Sequence, residues 1–344
     1  MDIPSENGDA YARAGVDIAA GNEAVARYKD LTQGWRHPAQ LEALGGFGGL
    51  FKMPGDASRA LVASADGVGT KILVAAEMHR YDSVGADLVN HCVNDILVVN
   101  ATPLFFLDYL AVGKLDPAVA ADIVKGCHAA CRNNECALLG GETAEMPGLY
   151  APGHFDLAGT IVGMVDIESV PKPADVAPTD VLLGLPSVGL HTNGYTLARE
   201  LIPAREWQQP FDGRTYGEAL LAEHPSYYDA VRAMQRVAKV KVMAHITGGG
   251  LLENVPRTLP SNVKAVFEQS RWEIPPLLQE LCARGRLQHD ERYRTFNMGI
   301  GYTLVVSLAD APKALAAVPG ARAIGWIEAR ESGEPKVTVH PARA

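Results

Sequence analysis

The sequence predicts an α+β protein built from two domains that each mix sheet and helix. Its 344 residues exceed what one hydrophobic core usually organises. Apolar runs typical of strands alternate with amphipathic helical stretches in both halves of the chain. Between two such runs, segment 171–180 carries three prolines, which fix φ and remove backbone donors. We therefore expect a joint there, with domains at 1–170 and 171–344.

Periodicity and turn residues locate the elements of each half. In the first half, we expect strands at 60–65, 104–112 and 157–165 and helices at 22–31, 71–79, 83–99 and 117–133. In the second half, we expect strands at 181–185, 263–267, 302–307 and 324–329 and helices at 195–202, 226–237, 275–284 and 311–317.

The composition is that of an ordinary folded chain. Apolar residues make up 47% and charged residues 21%, which excludes collagen, coiled coil and wholesale disorder. Lys plus Arg (31) minus Asp plus Glu (40) gives −9, so we expect no broad nucleic-acid-binding surface. The longest uncharged apolar stretch, 96–107, is shorter than the roughly 20 residues of a membrane-spanning helix, so we expect no membrane contact.

The first residues and the cysteines predict the cellular compartment. The first residues lack the basic and apolar regions of a secretory signal. The five cysteines are odd in number and include no CxxC pair, so neither a disulfide framework nor a structural zinc site is expected. We therefore expect a cytoplasmic protein.

The predicted helix at 83–99 has an unusual polar face. Its polar side chains fall on one side of the helix and include no Lys, Arg or Glu. They are Asp87, Asn90, His91, Asn94 and Asp95. A solvated surface is one explanation, but a polar cleft lined by this face explains its composition better.

Segment 66–71, Asp-Gly-Val-Gly-Thr-Lys, follows an apolar strand and opens a helix. Such a turn binds anions through backbone N–H groups and the helix dipole. Asp66 is suited to hold magnesium, and Lys71 can contact phosphate as a point charge. The segment is not a Walker A loop, and by itself it fits a plain βα turn equally well.

Segment 140–148 places Glu142 and Glu145 between two glycine turns. Neighbouring carboxylates repel each other unless a cation or a shared proton relieves them. Together with Asp66 and Asp95, they are candidates for a magnesium–phosphate site. An acidic surface loop explains the motif equally well.

A third glycine-rich segment, 44–50, includes Gly46 and Gly48 on either side of one phenylalanine. Glycines let the backbone approach a ligand closely. The segment lacks the GxGxxG order of a dinucleotide fold.

Two histidines of the second half each precede a glycine turn and a predicted helix start. His191 begins His-Thr-Asn-Gly-Tyr, and His245 is followed after two residues by Gly248–Gly250. Three glycines before a helix can hold phosphate. Histidine can act as an acid, a base or a hydrogen-bond donor, although a histidine in a turn is often structural. The absence of a GxSxG elbow argues against Ser-His-Asp hydrolysis.

Taken together, these segments closely resemble the family of phosphoribosylformylglycinamidine cyclo-ligases, also called AIR synthetases. The resemblance runs in order through nearly the whole chain, and ten segments in register are highly specific. The segments are 11–18, 45–49, 66–71, 93–95, 103–109, 113–116, 140–148, 191–195, 245–254 and 293–301.

The resemblance implies ATP-dependent ring closure of formylglycinamidine ribonucleotide to aminoimidazole ribonucleotide, with release of ADP and phosphate. ATP phosphorylates the formyl oxygen, which makes it a leaving group, and a nitrogen of the same molecule then attacks the carbon. The enzyme has to position both ligands, neutralise the phosphoryl charge and exclude water. The family also implies a homodimer in which paired N-terminal domains form a β-barrel and the C-terminal domain completes the cleft.

Residue roles follow from the same resemblance. Magnesium ligands are expected at Asp66, Asp95 and Glu142, and the ATP-phosphate loop at Gly67, Gly69, Thr70 and Lys71, with Gly46 and Gly48 as further ATP contacts. Substrate contacts are expected at Asn193, Gly248, Gly249, Gly250 and Glu142. The expected catalytic groups are Asp66, Lys71, Asp95, His191 and His245. The motifs do not fix which histidine, if either, moves a proton.

Other functions fit the sequence less well. Selenophosphate synthetases of the same superfamily typically carry a nucleophilic cysteine or selenocysteine near the N-terminus, whereas no cysteine precedes Cys92 here. Thiamine-phosphate kinases lack segments 245–254 and 293–301 in this form, and formylglycinamidine ribonucleotide synthetase is far longer. From another class, the chain could be a nucleotide-binding regulator without catalysis, but every expected magnesium ligand is present.

The sequence departs from the family pattern at Asn100, where the family usually has glycine. Asparagine is the next-best residue for a left-handed helix end. We therefore expect the turn to persist at a modest cost in stability.

Overall fold

The computed structural model describes Gly15 and residues 18–32, 34–42 and 45–342. Of the family-like segment 11–18, all but Gly15 and Ile18 lie outside the described residues, as does Leu44 of the glycine-rich segment. In the described part of the chain, no helix is both long and apolar enough to cross a membrane.

The chain divides into two compact units. The first comprises Met1–Val170 and Gly194–Glu223, and the second comprises Pro171–Asn193 and His224–Ala344. The change from one unit to the other at Val170 coincides with the proline-rich segment. The sequence did not indicate that Gly194–Glu223 belongs to the first unit.

The first unit is built on a five-stranded sheet. Its strands are β1 (Gly49–Lys52), β2 (Arg59–Gly67), β3 (Thr102–Val112), β4 (Ala137–Glu145) and β5 (Phe155–Asp166). The strand order is β1-β2-β5-β3-β4, in which β3 and β4 are parallel and the other neighbours antiparallel. Its helices are α1 (Ile18–Thr32), α2 (Lys71–Met78), α3 (Asp82–Leu97), α4 (Pro117–Asn133), α5 (Tyr195–Leu201) and α6 (Tyr216–Leu220), and a short hairpin joins β7 (Pro210–Phe211) to β8 (Arg214–Thr215).

The two faces of this sheet differ. Helix α3 packs on β2, β3 and β5, and α4 packs on α3. Along β5, the residues facing the helices are buried and those between them are half-buried. The other side, which we call the open face, carries Phe51, Leu61, Phe105, Leu107, Tyr109, Val162 and Met164, which the strand pairing places on one side.

The second unit contains a six-stranded sheet. The strands are β6 (Val181–Pro186), β9 (Val240–His245), β10 (Val263–Glu268), β11 (Ile300–Val306), β12 (Arg322–Ala329) and β13 (Val337–His340). The strand order is β13-β10-β12-β6-β11-β9, and only β10 and β13 pair in parallel among these strands. The helices are α7 (Tyr228–Gln235), α8 (Gly250–Asn254), α9 (Pro276–Arg284), α10 (His289–Thr295) and α11 (Ala311–Ala317).

The α+β class with two mixed domains is confirmed, and every predicted strand and helix overlaps an observed one. Helix α4 matches its predicted range because Asp116 caps it and Pro117 follows the cap. Strands β1, β4, β7, β8, β9 and β13 and helices α6 and α10 were not predicted, whereas α8 was predicted only as a helix start after the three glycines. Pairing of the first domain as a β-barrel in a homodimer stays a prediction.

Asn100 ends α3 in the left-handed conformation that its sequence context indicates. Its φ is 67°. The Asn100 N–H donates to the carbonyl of Leu97 at 2.8 Å, and the Ala101 N–H donates to that of Ile96 at 3.2 Å, which is a Schellman motif. The Asn100 side chain also donates from Nδ2 to the carbonyl of Ser169 at 3.1 Å, and glycine could not form this bond.

Asn100→Ala should lower the free energy of unfolding by about 1–2 kcal/mol, because alanine is strained in the left-handed region. Asn100→Gly should change it by less than about 0.5 kcal/mol, since the relieved strain and the lost side-chain bond offset each other. Urea denaturation measures both values. Asn133→Ala, in the exposed last turn of α4, is the control and should be neutral. An unchanged stability for Asn100→Ala would contradict the left-handed assignment.

Candidate active site

Asp66 lies near the end of β2, at the edge where the chain turns toward α2. Its cross-strand neighbour on β5 is Gly159, which faces α3. The Asp66 side chain therefore lies on the helix-covered side of the sheet. One carboxylate oxygen, Oδ1, accepts a hydrogen bond from the Gly67 N–H at 2.7 Å. The side chain is about 42% exposed, so the carboxylate is accessible to a ligand.

Two residues of α3 meet Asp66 and form an acid–histidine cluster. The His91 Nε2 lies 2.7 Å from Asp66 Oδ2 and 3.9 Å from Asp95 Oδ2. Ser64 Oγ donates to the same Asp95 oxygen at 3.2 Å. One ligand atom each from Asp66, His91 and Asp95 lies within 4.8 Å of the others, which is close enough to hold a metal ion.

The carboxylates determine the charge of His91. Burial lowers the pKa of His91, but the Asp66 carboxylate, followed by those of Asp95 and Asp87, outweighs this effect and raises the pKa to about 9. At neutral pH the imidazole is therefore a cation between two acids. In this arrangement, the positive charge of His91 offsets part of the negative charge of the two carboxylates.

The polar face of α3 is buried, so a solvated surface is not its explanation. All five of its polar residues are at most 7% exposed. Asn90 Oδ1 accepts a hydrogen bond from Asn134 Nδ2 at 2.8 Å, which joins α3 to the end of α4. Buried polar groups are tolerated when they are hydrogen-bonded, and this face is a network between elements.

Lys71 does not extend from the loop as expected for a phosphate ligand. It is fully buried, and its Nζ lies 2.5 Å from Asp87 Oδ2 and donates to the carbonyl of Ala222 at 2.8 Å. Burial lowers the pKa of Lys71, and the Asp87 carboxylate opposes this shift. Lys71 therefore links its own helix, α2, to α3 and to the segment before Glu223.

The backbone of the predicted phosphate loop has the expected form. Gly69 has a φ of 63°, and α2 begins two residues later. Thr70 Oγ1 lies 3.2 Å from Thr196 Oγ1 of α5, within the same unit. The loop thus leads from Asp66 into the amino end of a helix, where backbone N–H groups favour anions.

Gly46 and Gly48 differ in their surroundings. Gly46 is exposed, whereas Gly48 is buried and a Cβ there would lie 2.8 Å from Val62 Cγ1. Close packing against β2 therefore explains why Gly48 lacks a side chain. The structure provides no separate sign of a ligand at either position.

Glu142 does not join the Asp66 cluster within this chain. It pairs with Tyr109, which belongs to the open face, whereas Asp66 belongs to the helix-covered side. Three strand spacings separate β2 from β4, roughly 14 Å. Of the three expected metal ligands, Asp66 and Asp95 therefore lie together, whereas Glu142 lies on the opposite face of the sheet, because successive side chains of a strand point to opposite faces.

In the second unit, the two predicted histidines meet in a buried aromatic cluster. The rings of His191 and His224 stack with centroids 4.0 Å apart. His224 Nε2 lies 3.1 Å from His245 Nε2, at the end of β9. All three side chains are at most 1% exposed. His191 has a φ of 64°, and such strained backbone is frequent at functional sites.

The triple glycine opens α8 as expected. Gly250 has a φ of 56°, and a Cβ there would lie 2.0 Å from the Tyr293 carbonyl oxygen, so only glycine fits. Gly249 is also left-handed, with a φ of 89°. Asn193 Oδ1 lies near Gly248, 3.4 Å from where a Cβ would be, so these two predicted substrate contacts are neighbours.

Sequence reasoning missed three residues of these sites. His91 was noticed only as part of a polar face, although its spacing from Asp87 and Asp95 places all three on one side of α3. Asn254 Nδ2 donates to the carbonyls of Gly248 and Gly250 at 3.0 and 2.9 Å and so holds the glycine loop. His224 has no local sequence signal, because only the tertiary fold brings it between His191 and His245.

Comparison with known protein families agrees with this architecture. Residues 48–165 match the profile of AIR synthase related protein, N-terminal domain, and residues 177–338 match that of the C-terminal domain. The chain belongs to the AIR synthase related family.

Curated relatives over nearly the full length carry one name. The chain is 46% identical over 341 residues to phosphoribosylformylglycinamidine cyclo-ligase of Methylobacillus flagellatus, covering 97% of this chain and 99% of the relative. It is 45% identical to the protein of that name from Syntrophotalea carbinolica, covering 96% and 97%. For the Anaeromyxobacter protein of that name, the identity is 47%, with 92% and 94% covered.

Solved structures share the fold at low sequence identity. A ThiL complexed with AMPPCP and TMP has a TM-score of 0.66 at 16% identity, with 92% of each chain covered. The hydrogenase maturation protein HypE in complex with ATP has a TM-score of 0.62 at 16% identity, covering 93% of this chain and 91% of that one. These similarities establish the fold alone.

Lys71→Met should lower the free energy of unfolding by about 3–5 kcal/mol, because it leaves the Asp87 carboxylate buried without its cation. Adding Asp87→Leu should restore much of the loss. Urea denaturation measures each variant. Lys239→Met is the matched control, since that lysine pairs with Asp175 while 69% exposed, and it should cost less than about 1 kcal/mol. Equal losses for both lysines would contradict the structural role of Lys71.

Proposed function

We propose that this protein catalyses the ATP-dependent cyclisation of formylglycinamidine ribonucleotide to aminoimidazole ribonucleotide, with release of ADP and phosphate. The observation that carries the proposal is the sequence identity of 45–47%, over nearly the full length, to proteins named as this cyclo-ligase. Sequence identity to a thiamine monophosphate kinase of the same fold is only 16%. The difference favours the cyclo-ligase reaction over other activities of the superfamily.

The acid cluster of the first unit fits magnesium. Mg²⁺ prefers oxygen ligands and commonly binds through one or two carboxylates together with phosphate oxygens. Asp66 and Asp95 offer such oxygens on either side of His91, and Asp66 is accessible. When bound, the ion would neutralise phosphate charge during phosphoryl transfer. Fold relatives described with ATP or AMPPCP bound support ATP as the nucleotide.

The residues around this cluster then have defined tasks. The backbone N–H groups at the start of α2, after Gly67 and Gly69, bind phosphate oxygens. Lys71 acts as a positioning residue, because its bonds to Asp87 and Ala222 fix the first turn of α2. His91 holds the Asp66 carboxylate in place and offsets part of the negative charge of the two carboxylates when no metal ion is bound.

The second unit would bind the ribonucleotide substrate. Gly248 is exposed at the tip of the glycine loop, and Asn193 lies beside it, so both can contact a phosphate or an amide. His191 and His245 are buried, so we assign them to positioning the turns that follow β6 and β9. The formyl oxygen takes up the phosphoryl group, the amidine-derived nitrogen attacks the formyl carbon, and phosphate leaves.

The open face of the first unit supports a homodimer. Phe51, Leu107 and Tyr109 are 37%, 38% and 40% exposed on one side of the sheet. Adjacent exposed apolar side chains of this kind mark interaction surfaces. A second copy of the chain would cover them by sheet-to-sheet pairing. Because Glu142 also lies on this face, pairing would bring it to the interface.

The direct test is an assay of ADP release with ATP and magnesium, with and without formylglycinamidine ribonucleotide, while aminoimidazole ribonucleotide is followed. We expect ADP only with the substrate, in a one-to-one ratio with product. ATP turnover without this substrate would instead indicate a kinase-like activity. Nucleotide binding without any turnover would indicate a regulator.

Asp66→Asn and Asp95→Asn should each lower kcat/KM at least about 100-fold, because each replaces a carboxylate that would hold the magnesium ion neutralising the phosphoryl charge. Both substitutions preserve side-chain shape, and circular dichroism checks the fold. Asp166→Asn is the matched control, since Asp166 is the last residue of β5 and pairs with Arg59 at the opposite end of β2. An equal loss in the Asp166 variant, or full activity of the Asp66 variant, would overturn the assignment.

Leu107→Glu should convert the dimer to a monomer, because it places a charge in the centre of the open face. Light scattering coupled to gel filtration measures the mass. Leu308→Glu, an exposed leucine of the second unit, is the control and should leave the mass unchanged. A wild-type protein that is already monomeric would contradict the homodimer.

A further inference from the structure

Two of the five cysteines occupy opposite ends of one turn. Cys131 lies in the last turn of α4, and Cys136 immediately precedes β4. All five cysteines are free thiols and buried. Cys136, at 9%, is more exposed than Cys131, at 1%. Their spacing is not a CxxC motif, so the sequence pattern alone does not identify a redox pair.

The backbone of this turn holds the two cysteines together. The Cys136 N–H donates to the Cys131 carbonyl at 2.9 Å, and the Glu135 N–H donates to that of Arg132 at 3.2 Å. Glu135 has a φ of 55°, which completes a Schellman motif. In this motif, the side chains at the two positions held by Cys131 and Cys136 commonly contact each other.

The hydrogen bond also limits the separation of the two cysteines. Adding the span from Cα to the carbonyl oxygen, the hydrogen bond of 2.9 Å and the N–Cα bond gives at most about 6.8 Å between their Cα atoms. A disulfide requires roughly 4.4–6.8 Å between Cα atoms and Cβ atoms that converge. The turn therefore meets the distance requirement without moving the backbone.

The two thiols differ in acidity. A hydrogen bond from the Cys131 thiol lowers the pKa of Cys136, and the same bond raises the pKa of Cys131. By contrast, burial raises the pKa of Cys127 and of Cys282 to about 12. The more exposed thiol of the pair is thus also the better nucleophile.

We propose that Cys131 and Cys136 form a redox site that a hydroperoxide oxidises to an intramolecular disulfide. The Cys136 sulfur attacks the peroxide, the O–O bond breaks, and a sulfenic acid and an alcohol (water for hydrogen peroxide) form. The Cys131 sulfur then attacks the Cys136 sulfur, the S–O bond breaks, and water leaves. In sum, two thiols and one hydroperoxide give one disulfide, one alcohol and one water.

Another cysteine is a poorer partner for Cys131. Cys127 lies one helical turn earlier on α4, and side chains so spaced have Cβ atoms about 5–6 Å apart. A disulfide needs Cβ atoms about 3.5–4.5 Å apart. Oxidation should therefore join Cys131 to Cys136 and not to Cys127.

The disulfide would fix the connection between α4 and β4. Asn134, between the two cysteines, bonds to Asn90 on the polar face of α3. Oxidation would thus cross-link the turn that connects α4 to the polar face of α3. Because a disulfide restricts the unfolded chain, the oxidised protein should unfold at higher urea concentration than the reduced protein.

The test treats the reduced protein with hydrogen peroxide, blocks remaining thiols with N-ethylmaleimide in denaturant, and maps tryptic peptides by mass spectrometry. Cleavage after Arg132 places the two cysteines on separate peptides, which stay joined only by a disulfide. We expect this linked pair, lost after dithiothreitol treatment. Full labelling of all five thiols, or oxidation of Cys136 only to sulfinic acid, would overturn the proposal.

Two variants distinguish the partner, because the peptide with Cys131 also contains Cys127. Cys127→Ser should keep the linked peptides, and Cys131→Ser should lose them. A link that persists in the Cys131 variant and disappears in the Cys127 variant would contradict the assignment. The readout does not depend on the proposed enzymatic activity, so failure of one leaves the other intact.

Discussion

The buried polar face of α3 is the constraint on which the first unit depends. A helix that buries carboxylates, amides and an imidazole has to find a partner for each, because an unpaired buried polar group costs several kcal/mol. The partners named here lie on three different elements. Asp87 binds Lys71 at the start of α2, His91 binds Asp66 at the end of β2, and Asn90 binds the turn after α4.

This network explains how a site of charged groups is held rigidly. Lys71 and Asp66 are the two ends of one six-residue loop, and both are bound to α3. The loop backbone between them is therefore fixed before any ligand arrives. Preorganised backbone N–H groups stabilise phosphate charge more effectively than groups that must first reorient. The polar residues buried on α3 thus hold the loop in place for the phosphate binding that we propose.

The sequence predicted the elements whose local signals agree with the fold. Helix α4 has a capping aspartate, an N-terminal proline and an amphipathic pattern, and its predicted range is the observed one. Strand β4 was missed because its second half, from Gly140 to Glu145, is polar and glycine-rich and pairs at a sheet edge. Strand β9 was missed because Lys241 interrupts its apolar run. In the structure, Lys241 forms an ion pair with Asp180.

The candidate site was predictable in its residue types but not in its geometry. The motifs identified Asp66 and Asp95, which the structure brings together through His91. Without β4, the sequence could not place Glu142 on the opposite face of the sheet. Nor could it show that Lys71 is buried, because its partner Asp87 is 16 residues away on another helix. Long-range contacts, and not local patterns, determine these positions.

We propose that Asp66 and Asp95 hold the metal–phosphate end of the nucleotide. Anomalous diffraction from crystals grown with Mn²⁺ and the ATP analogue AMPPCP tests it most directly. We expect an anomalous peak about 2.0–2.3 Å from carboxylate oxygens of Asp66 and Asp95, with phosphate oxygens completing the coordination. A peak held by other acidic residues, with neither Asp66 nor Asp95 as a ligand, would contradict the account.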